Sequence, residues 1–265
     1  MPLSPLLSSY DHVVLDLDGC VWVGDRATRR APEAIAALRA AHKSLAFVTN
    51  DARRSPEDYV RKLWALGIQA SLEEVVTVGA AIQHALAEHP RSDVYVIGAP
   101  AIFRHVSEAG QRIVNGTERA ASAELVVVAD HDELRFSDLQ AAIQAVLAGA
   151  EMIAAGRDRT YPTEAGPSVG TGAVVAALEY ATDRSATIVG KPDPQIFFTA
   201  LDRLGPGRVL VVGDRLDADL AGAGAAGLEA AIVLTGVSSA AAAEAASDPA
   251  PVAIAPDLHA LVLES

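Results

Sequence analysis

Two rhythms of apolar residues alternate along the chain. Short continuous runs rich in β-branched residues, Val13-Val14-Leu15 first among them, read as strands buried on both faces. Between them, apolar residues recur at the three- and four-residue spacing of amphipathic helices. The first run ends in Asp16-Leu17-Asp18-Gly19. Pro32, Ile35, Leu38 and Ala41 predict a helix, and 44–48 a second strand that ends in Thr49-Asn50-Asp51. Ser55-Pro56-Glu57-Asp58 is a helix start: a capping side chain, a proline in the first turn, and acids at the positive end of the helix. Val60, Leu63, Trp64 and Leu66 supply its buried face and Gly67 its stop. Ser71-Leu72-Glu73-Glu74 has the spacing of a capping box and predicts the start of a long alanine-rich helix.

Strands then follow at 94–97, 125–128 and 152–154, with helices at 102–109 and 136–147 between them. Residues 157–172, rich in Pro, Gly and Thr and without a period, read as a long ordered loop. A helix at 173–181 leads to Ile188-Val189 and Gly190-Lys191-Pro192-Asp193-Pro194, which opens a helix carrying Phe197, Phe198, Leu201 and Leu204. A strand at 208–212 runs into Gly213-Asp214-Arg215-Leu216-Asp217-Ala218-Asp219, and a strand at 230–234, a surface helix at 239–247 and a short strand complete the chain. Such alternation implies an α/β protein with parallel sheets and right-handed crossovers. The rhythm restarts near Ser71 and returns at Ile188, so the middle reads as an insertion: residues 1–78 and 188–265 form a core, and 79–187 a smaller α/β unit.

At 265 residues and 51% hydrophobic content the chain can bury two cores. A net charge of −13 argues against nucleic acid or an anionic membrane as partner. The opening Met1-Pro2-Leu3-Ser4-Pro5 carries no basic residue and no apolar run reaches membrane-spanning length, so the expected location is cytoplasmic. One cysteine, Cys20, cannot form an internal disulfide, which agrees with a reducing compartment.

Four strand ends carry chemistry: Asp16 and Asp18, Thr49 and Asn50, Lys191, and Asp214 with Asp217 and Asp219. In an open parallel sheet, ligands bind at the carboxyl ends of the strands, so these groups converge if their strands share one sheet. Carboxylates gathered there repel one another and need a neutralising cation. All offer hard oxygen and no His or Cys set accompanies them, so Mg²⁺ is expected and zinc disfavoured. Such a metal, one lysine, and hydroxyl and amide donors suit phosphoryl transfer to a carboxylate, with a second acid protonating the leaving group. Spacing leaves open which of Asp217 and Asp219 joins the metal.

Asp16-Leu17-Asp18-Gly19, Thr49-Asn50, Lys191 before Pro192, and Gly213-Asp214 with Asp219 resemble, in order, the four motifs of the haloacid dehalogenase superfamily. The inserted unit, Thr171-Gly172-Ala173 and the stretch from Gly213 to Asp219 resemble the branch of 4-nitrophenylphosphatases, phosphoglycolate phosphatases and NagD-like sugar phosphatases. The likeness covers nearly the whole chain. It implies a Rossmann-like core with an inserted cap, and Mg²⁺-dependent hydrolysis of a small phosphate ester through an aspartyl phosphate. Asp16 is the implied nucleophile and Asp18 the general acid and base. Asp16, the main-chain carbonyl of Asp18, and Asp214 are implied to hold the metal, with Asp219 rather than Asp217 in its outer shell; Thr49, Asn50 and Lys191 hold phosphate. A homodimer through the cap is a further implication. Cys20 departs from the Thr or Val more often found after the glycine. The competing reading is a phosphometabolite-binding protein with vestigial hydrolysis, against which stands the retention of every catalytic position.

Other patterns point to packing. Cys20 and Arg26 have the spacing of a cysteine-dependent phosphatase loop, but Val21, Trp22, Val23 and Asp25 would crowd and repel a phosphate. Gly222-Ala223-Gly224-Ala225-Ala226-Gly227 matches a dinucleotide fingerprint, yet lies well beyond a strand-to-helix turn. Trp22 and Trp64 read as packing residues. Among the histidines only His131, between Asp130 and Asp132, is a candidate ligand, with surface placement favoured. Arg157 is either a substrate contact or a solvated loop charge, the latter favoured.

Overall fold

The computed structural model describes residues 2–130, 133–163 and 166–264. The chain divides into two compact units, one made of Met1–Thr49, Pro56–Val76 and Lys191–Ser265, the other of Asn50–Ser55 and Thr77–Gly190.

The first unit is built on a six-stranded sheet whose spatial order is Ala253–Ala255, Glu229–Val233, Val209–Gly213, His12–Asp16, Ser44–Thr49 and Val75–Thr77. His12–Asp16 and Val209–Gly213 are buried at every position, as their unbroken apolar runs require of strands covered on both faces. Both neighbours of His12–Asp16 run parallel to it: Leu15 lies opposite Val212 and Asp16 opposite Val48. Asp16, Thr49 and Asp214 therefore leave the sheet at nearly the same level of one rim. Leu7, Leu15, Leu17, Ile35, Leu38, Phe47, Leu63 and Leu210 are among the residues that fill the core. The helix Leu258–Val262, capped by Asp257 and not among the elements expected from the sequence, packs on Ala31–Ala40.

The capping box at Ser71 forms, with the Ser71 N–H donating to Glu74 at 2.8 Å, but it opens only the three-residue turn Leu72–Glu74. The chain then enters the strand Val75–Thr77, and the helix begins at Val78. Three consecutive β-branched residues beside an available sheet edge override the helix start.

The second unit carries a five-stranded sheet ordered Thr187–Ile188, Glu151–Ala154, Leu125–Val128, Asp93–Ile97 and Arg112–Ile113, with every pairing parallel. Phe136–Leu147 and Thr171–Thr182 close a core that includes Val126, Val128, Val146 and Leu178. The expected loop at 157–172 contains a hairpin, Thr160–Thr163 against Gly166–Val169. Its paired prolines, 162 and 167, cannot donate to a ladder and hid the strands from a pattern search. Among the described residues no helix is long and apolar enough to cross a membrane.

Candidate active site

Four charged side chains from three separate stretches of the first unit meet in its interior. Asp16 closes the central strand and is 6% exposed; Lys191 is 6% exposed and Asp214 and Asp219 1% each. The Lys191 ammonium donates to Asp16 Oδ1 and, at 2.8 Å, to Asp219 Oδ1. Asp219 is turned inward by a wide turn, Leu216–Leu220, in which the N–H groups of Asp219 and Leu220 both reach the Arg215 carbonyl. Its Oδ2 accepts the N–H groups of Asp214 at 3.2 Å and Arg215 at 3.1 Å. Asp214 Oδ2 accepts the Val237 N–H at 2.6 Å, while its Oδ1 is buried without a hydrogen-bond partner.

Glycines make room for this cluster. Gly19 has φ +91°, a conformation open to glycine, and a Cβ there would come 2.5 Å from the Asp214 carboxyl carbon. A Cβ on Gly213 would collide with the Asp219 carboxylate.

One carboxylate oxygen from each of Asp16, Asp214 and Asp219 lies within 4.8 Å of the others. At that separation two unit charges repel by about 3.5 kcal/mol at an effective dielectric near 20. Burial pushes the Asp16 carboxyl well above the usual range, Lys191 opposes that shift, and Asp219 and Asp214 add to it. Burial and then Asp219 push Asp214 up to about 6. For Lys191, burial would favour the neutral amine, but Asp16 and Asp219 outweigh it and keep the ammonium charged. One cation among three carboxylates leaves an excess of negative charge. The hard-oxygen donor set, the orphaned Asp214 Oδ1 and the space left by glycine fit a divalent cation such as Mg²⁺.

Asp18 stands apart from the three buried acids: it is exposed, and its Oδ1 accepts the Trp22 indole N–H at 2.8 Å. Thr49, 2% exposed, ends its strand in the first unit, and Asn50 is the first residue of the second. Asp217 points away and pairs with the Arg215 guanidinium at 3.0 and 2.9 Å, which holds its carboxyl below the usual range. Arg157 makes a two-pronged bond to Glu179 at 2.8 and 2.7 Å. His131 lies outside the described residues. Cys20 is fully buried, and burial followed by the nearby acids pushes its thiol well up, which opposes a thiolate nucleophile. Gly222 is packed against Phe197 and Pro192, as close helix packing demands.

Sequence reasoning missed the Trp22 hydrogen bond, though an indole four residues beyond an acid, across a forced turn at Gly19, was a usable signal. It also missed the Val237 N–H, for which no side-chain pattern exists.

Two family profiles match the chain: haloacid dehalogenase-like hydrolase over residues 13–112, and HAD-hydrolase-like over 188–261. The D-glycerol 3-phosphate phosphatase of Mycobacterium tuberculosis is 39% identical over 240 residues, covering 90% of this chain and 67% of the relative. The glycerol-3-phosphate phosphatase of Gallus gallus is 34% identical, with 88% of this chain and 82% of the relative covered. The crystal structure of a glycerol phosphate phosphatase from M. tuberculosis in complex with magnesium superimposes with a TM-score of 0.88 at 36% identity, over 99% of this chain and 79% of that one. Matched on both sides of its insertion and along nearly its whole length, the chain belongs to the haloacid dehalogenase-like hydrolase family, among its phosphatases.

Proposed function

We propose that the chain is a Mg²⁺-dependent phosphomonoester hydrolase of small phosphorylated metabolites, acting in the cytoplasm through an aspartyl phosphate on Asp16. The observation that carries this reading is the buried cluster of Asp16, Asp214 and Asp219 around Lys191, with Asp214 Oδ1 left without a partner. Asp16, Asp214, Asp219 and the main-chain carbonyl of Asp18 would hold the cation, directly or through water. When bound, it neutralises phosphate oxygens and so lets an anionic nucleophile approach an anionic ester.

Lys191 opposes the burial that raises the Asp16 carboxyl and shares its charge with the phosphate. An Asp16 oxygen attacks phosphorus in line as the bond to the leaving oxygen breaks, and Asp18 gives that oxygen its proton. The Asp18 carboxylate then takes a proton from water; the water oxygen attacks phosphorus, the bond to Asp16 breaks, and inorganic phosphate leaves with Asp16 restored. Thr49 and Asn50 hold the phosphate oxygens during both displacements.

The relatives' names make short polyol phosphates the first substrates to try. Phosphate release is measured from glycerol 3-phosphate, sugar phosphates, phosphoglycolate, nucleoside monophosphates and 4-nitrophenyl phosphate, with Mg²⁺ and with EDTA. Turnover should require the metal, and Asp16→Asn should lose at least about a thousandfold in kcat while its circular dichroism is unchanged. Metal-independent turnover, near-normal rates in Asp16→Asn, or tight binding of these esters without hydrolysis would overturn the reading.

A further inference from the structure

Trp22 has no place in the family-derived chemistry, yet it is fully buried and makes a side-chain bond to the proposed acid. We propose that Trp22 is a positioning residue for the proton-transfer step: its indole N–H holds Asp18 Oδ1, so that the carboxyl exchanges its proton in one fixed orientation. This rests on the reading of Asp18 as general acid and base.

A buried indole must find an acceptor for its N–H, and Asp18 Oδ1 is that acceptor at 2.8 Å. The donor itself cannot move far. The Gly19 N–H donates to the Trp22 carbonyl at 2.7 Å and the Trp22 N–H to the Leu17 carbonyl at 3.1 Å, so the backbone around the acid is cross-tied to the backbone of the tryptophan. The indole stacks on Tyr59 with ring centroids 6.3 Å apart and planes 5° from parallel. The Lys62 ammonium lies 4.5 Å from the centre of the same indole and is anchored to the Gly24 carbonyl at 2.8 Å. Tyr59 and Lys62 both belong to the helix Pro56–Ala65, so one regular element braces the ring that holds the acid.

The surroundings of Asp18 explain why it needs such a brace. Asp18 is exposed, whereas Asp16, Asp214 and Asp219 are buried. Proton transfer in the transition state depends on the orientation of the acid.

The test separates this role from packing. Removing the N–H alone should slow the reaction most where the leaving group most needs a proton. Trp22→Phe and an isosteric replacement, 3-benzothienylalanine at position 22 with sulfur in place of N–H, are compared with the unmodified enzyme and with Asp18→Asn. The measurement is kcat/KM for an alkyl ester, glycerol 3-phosphate, and an aryl ester, 4-nitrophenyl phosphate; this ratio reports only the steps through transfer to the enzyme. Loss of aim should cost the alkyl ester about tenfold and the aryl ester less than about threefold in both Trp22 variants. Asp18→Asn should show the same bias more strongly. Should Asp18→Asn discriminate while the benzothienyl enzyme treats both esters alike, the positioning role of Trp22 is wrong and the acid assignment stands. Equal losses in Asp18→Asn would remove the acid assignment itself, and the Trp22 role with it. If Trp22→Phe does not fold, the isosteric enzyme, which keeps ring size and stacking, decides alone.

Discussion

Replacing Lys191 by Met should destabilise the metal-free first unit severely, and the loss should depend on pH. Lys191 is nearly the same length as Met, so the change removes charge with little change of shape. At an effective dielectric near 20, the attraction to Asp219 across 2.8 Å is about 6 kcal/mol, and each carboxylate pair within 4.8 Å repels by about 3.5 kcal/mol or more. These gross terms cannot all appear as lost stability, because the carboxylates respond by taking up protons. Breaking a buried pair by removing one partner costs about 3–5 kcal/mol, a large part of a domain's net stability. The Lys191 ammonium is raised in the folded protein and so is charged at pH 7.5 and 5.5 alike; its own titration adds no pH dependence in that window, and any must come from the carboxyls. In Lys191→Met, Asp16 and Asp214 lose the influence that opposed their raised values. Raised carboxyls bind protons in the folded state before the unfolded one does, so the penalty is largest at pH 7.5 and shrinks toward 5.5. Urea unfolding in EDTA measures it, and tryptophan fluorescence reports the first unit alone, since Trp22 and Trp64 both lie there. A loss below about 1 kcal/mol at pH 7.5, or an equal loss at both pH values, would refute the balance of charges described above.

Further outcomes follow from the same cluster. Asp214, pushed up to about 6, must release its proton to bind a cation, so the Mg²⁺ concentration for half-maximal activation should rise as pH falls from 7 to 5; a pH-independent value would count against Asp214 as a ligand. Gly19→Ala forces a side chain into left-handed backbone, at about 1–2 kcal/mol, and against the Asp214 carboxyl; urea titration and Mg²⁺ activation should both be impaired, and wild-type activation would contradict the crowding. Iodoacetamide should leave turnover intact because Cys20 is buried with a raised thiol, whereas EDTA should abolish it; inactivation by the alkylator in the native enzyme would reopen a thiolate mechanism.

Much of the fold was legible because its signals are local. The helix at 136–147 was readable to the residue from its periodicity. The runs ending in Asp16, Thr49 and Asp214 read as strands because β-branched residues there have both faces to cover. Illegible elements were those whose reason is not local. Val75–Thr77 becomes a strand because Ser44–Thr49 offers it an edge, against a capping box that does form. The strands Thr160–Thr163 and Gly166–Val169 pair in spite of a proline in each, because the two stand only a few residues apart in sequence. Asp217 and Asp219 are indistinguishable by spacing; the wide turn at Leu216–Leu220 sends one to Lys191 and the other to Arg215.

By itself the sequence determined that this is an α/β protein of parallel sheets with acids, a lysine and amide donors at strand ends, because strand burial, helix period and caps act over a few residues. Only the tertiary structure decided which acids meet, that Asp214 keeps one oxygen unpartnered, and that Trp22 holds Asp18. Those facts arise from strand register and from turns that bring together side chains as distant in sequence as Asp16 and Asp219, and distance of that kind leaves no trace in local pattern.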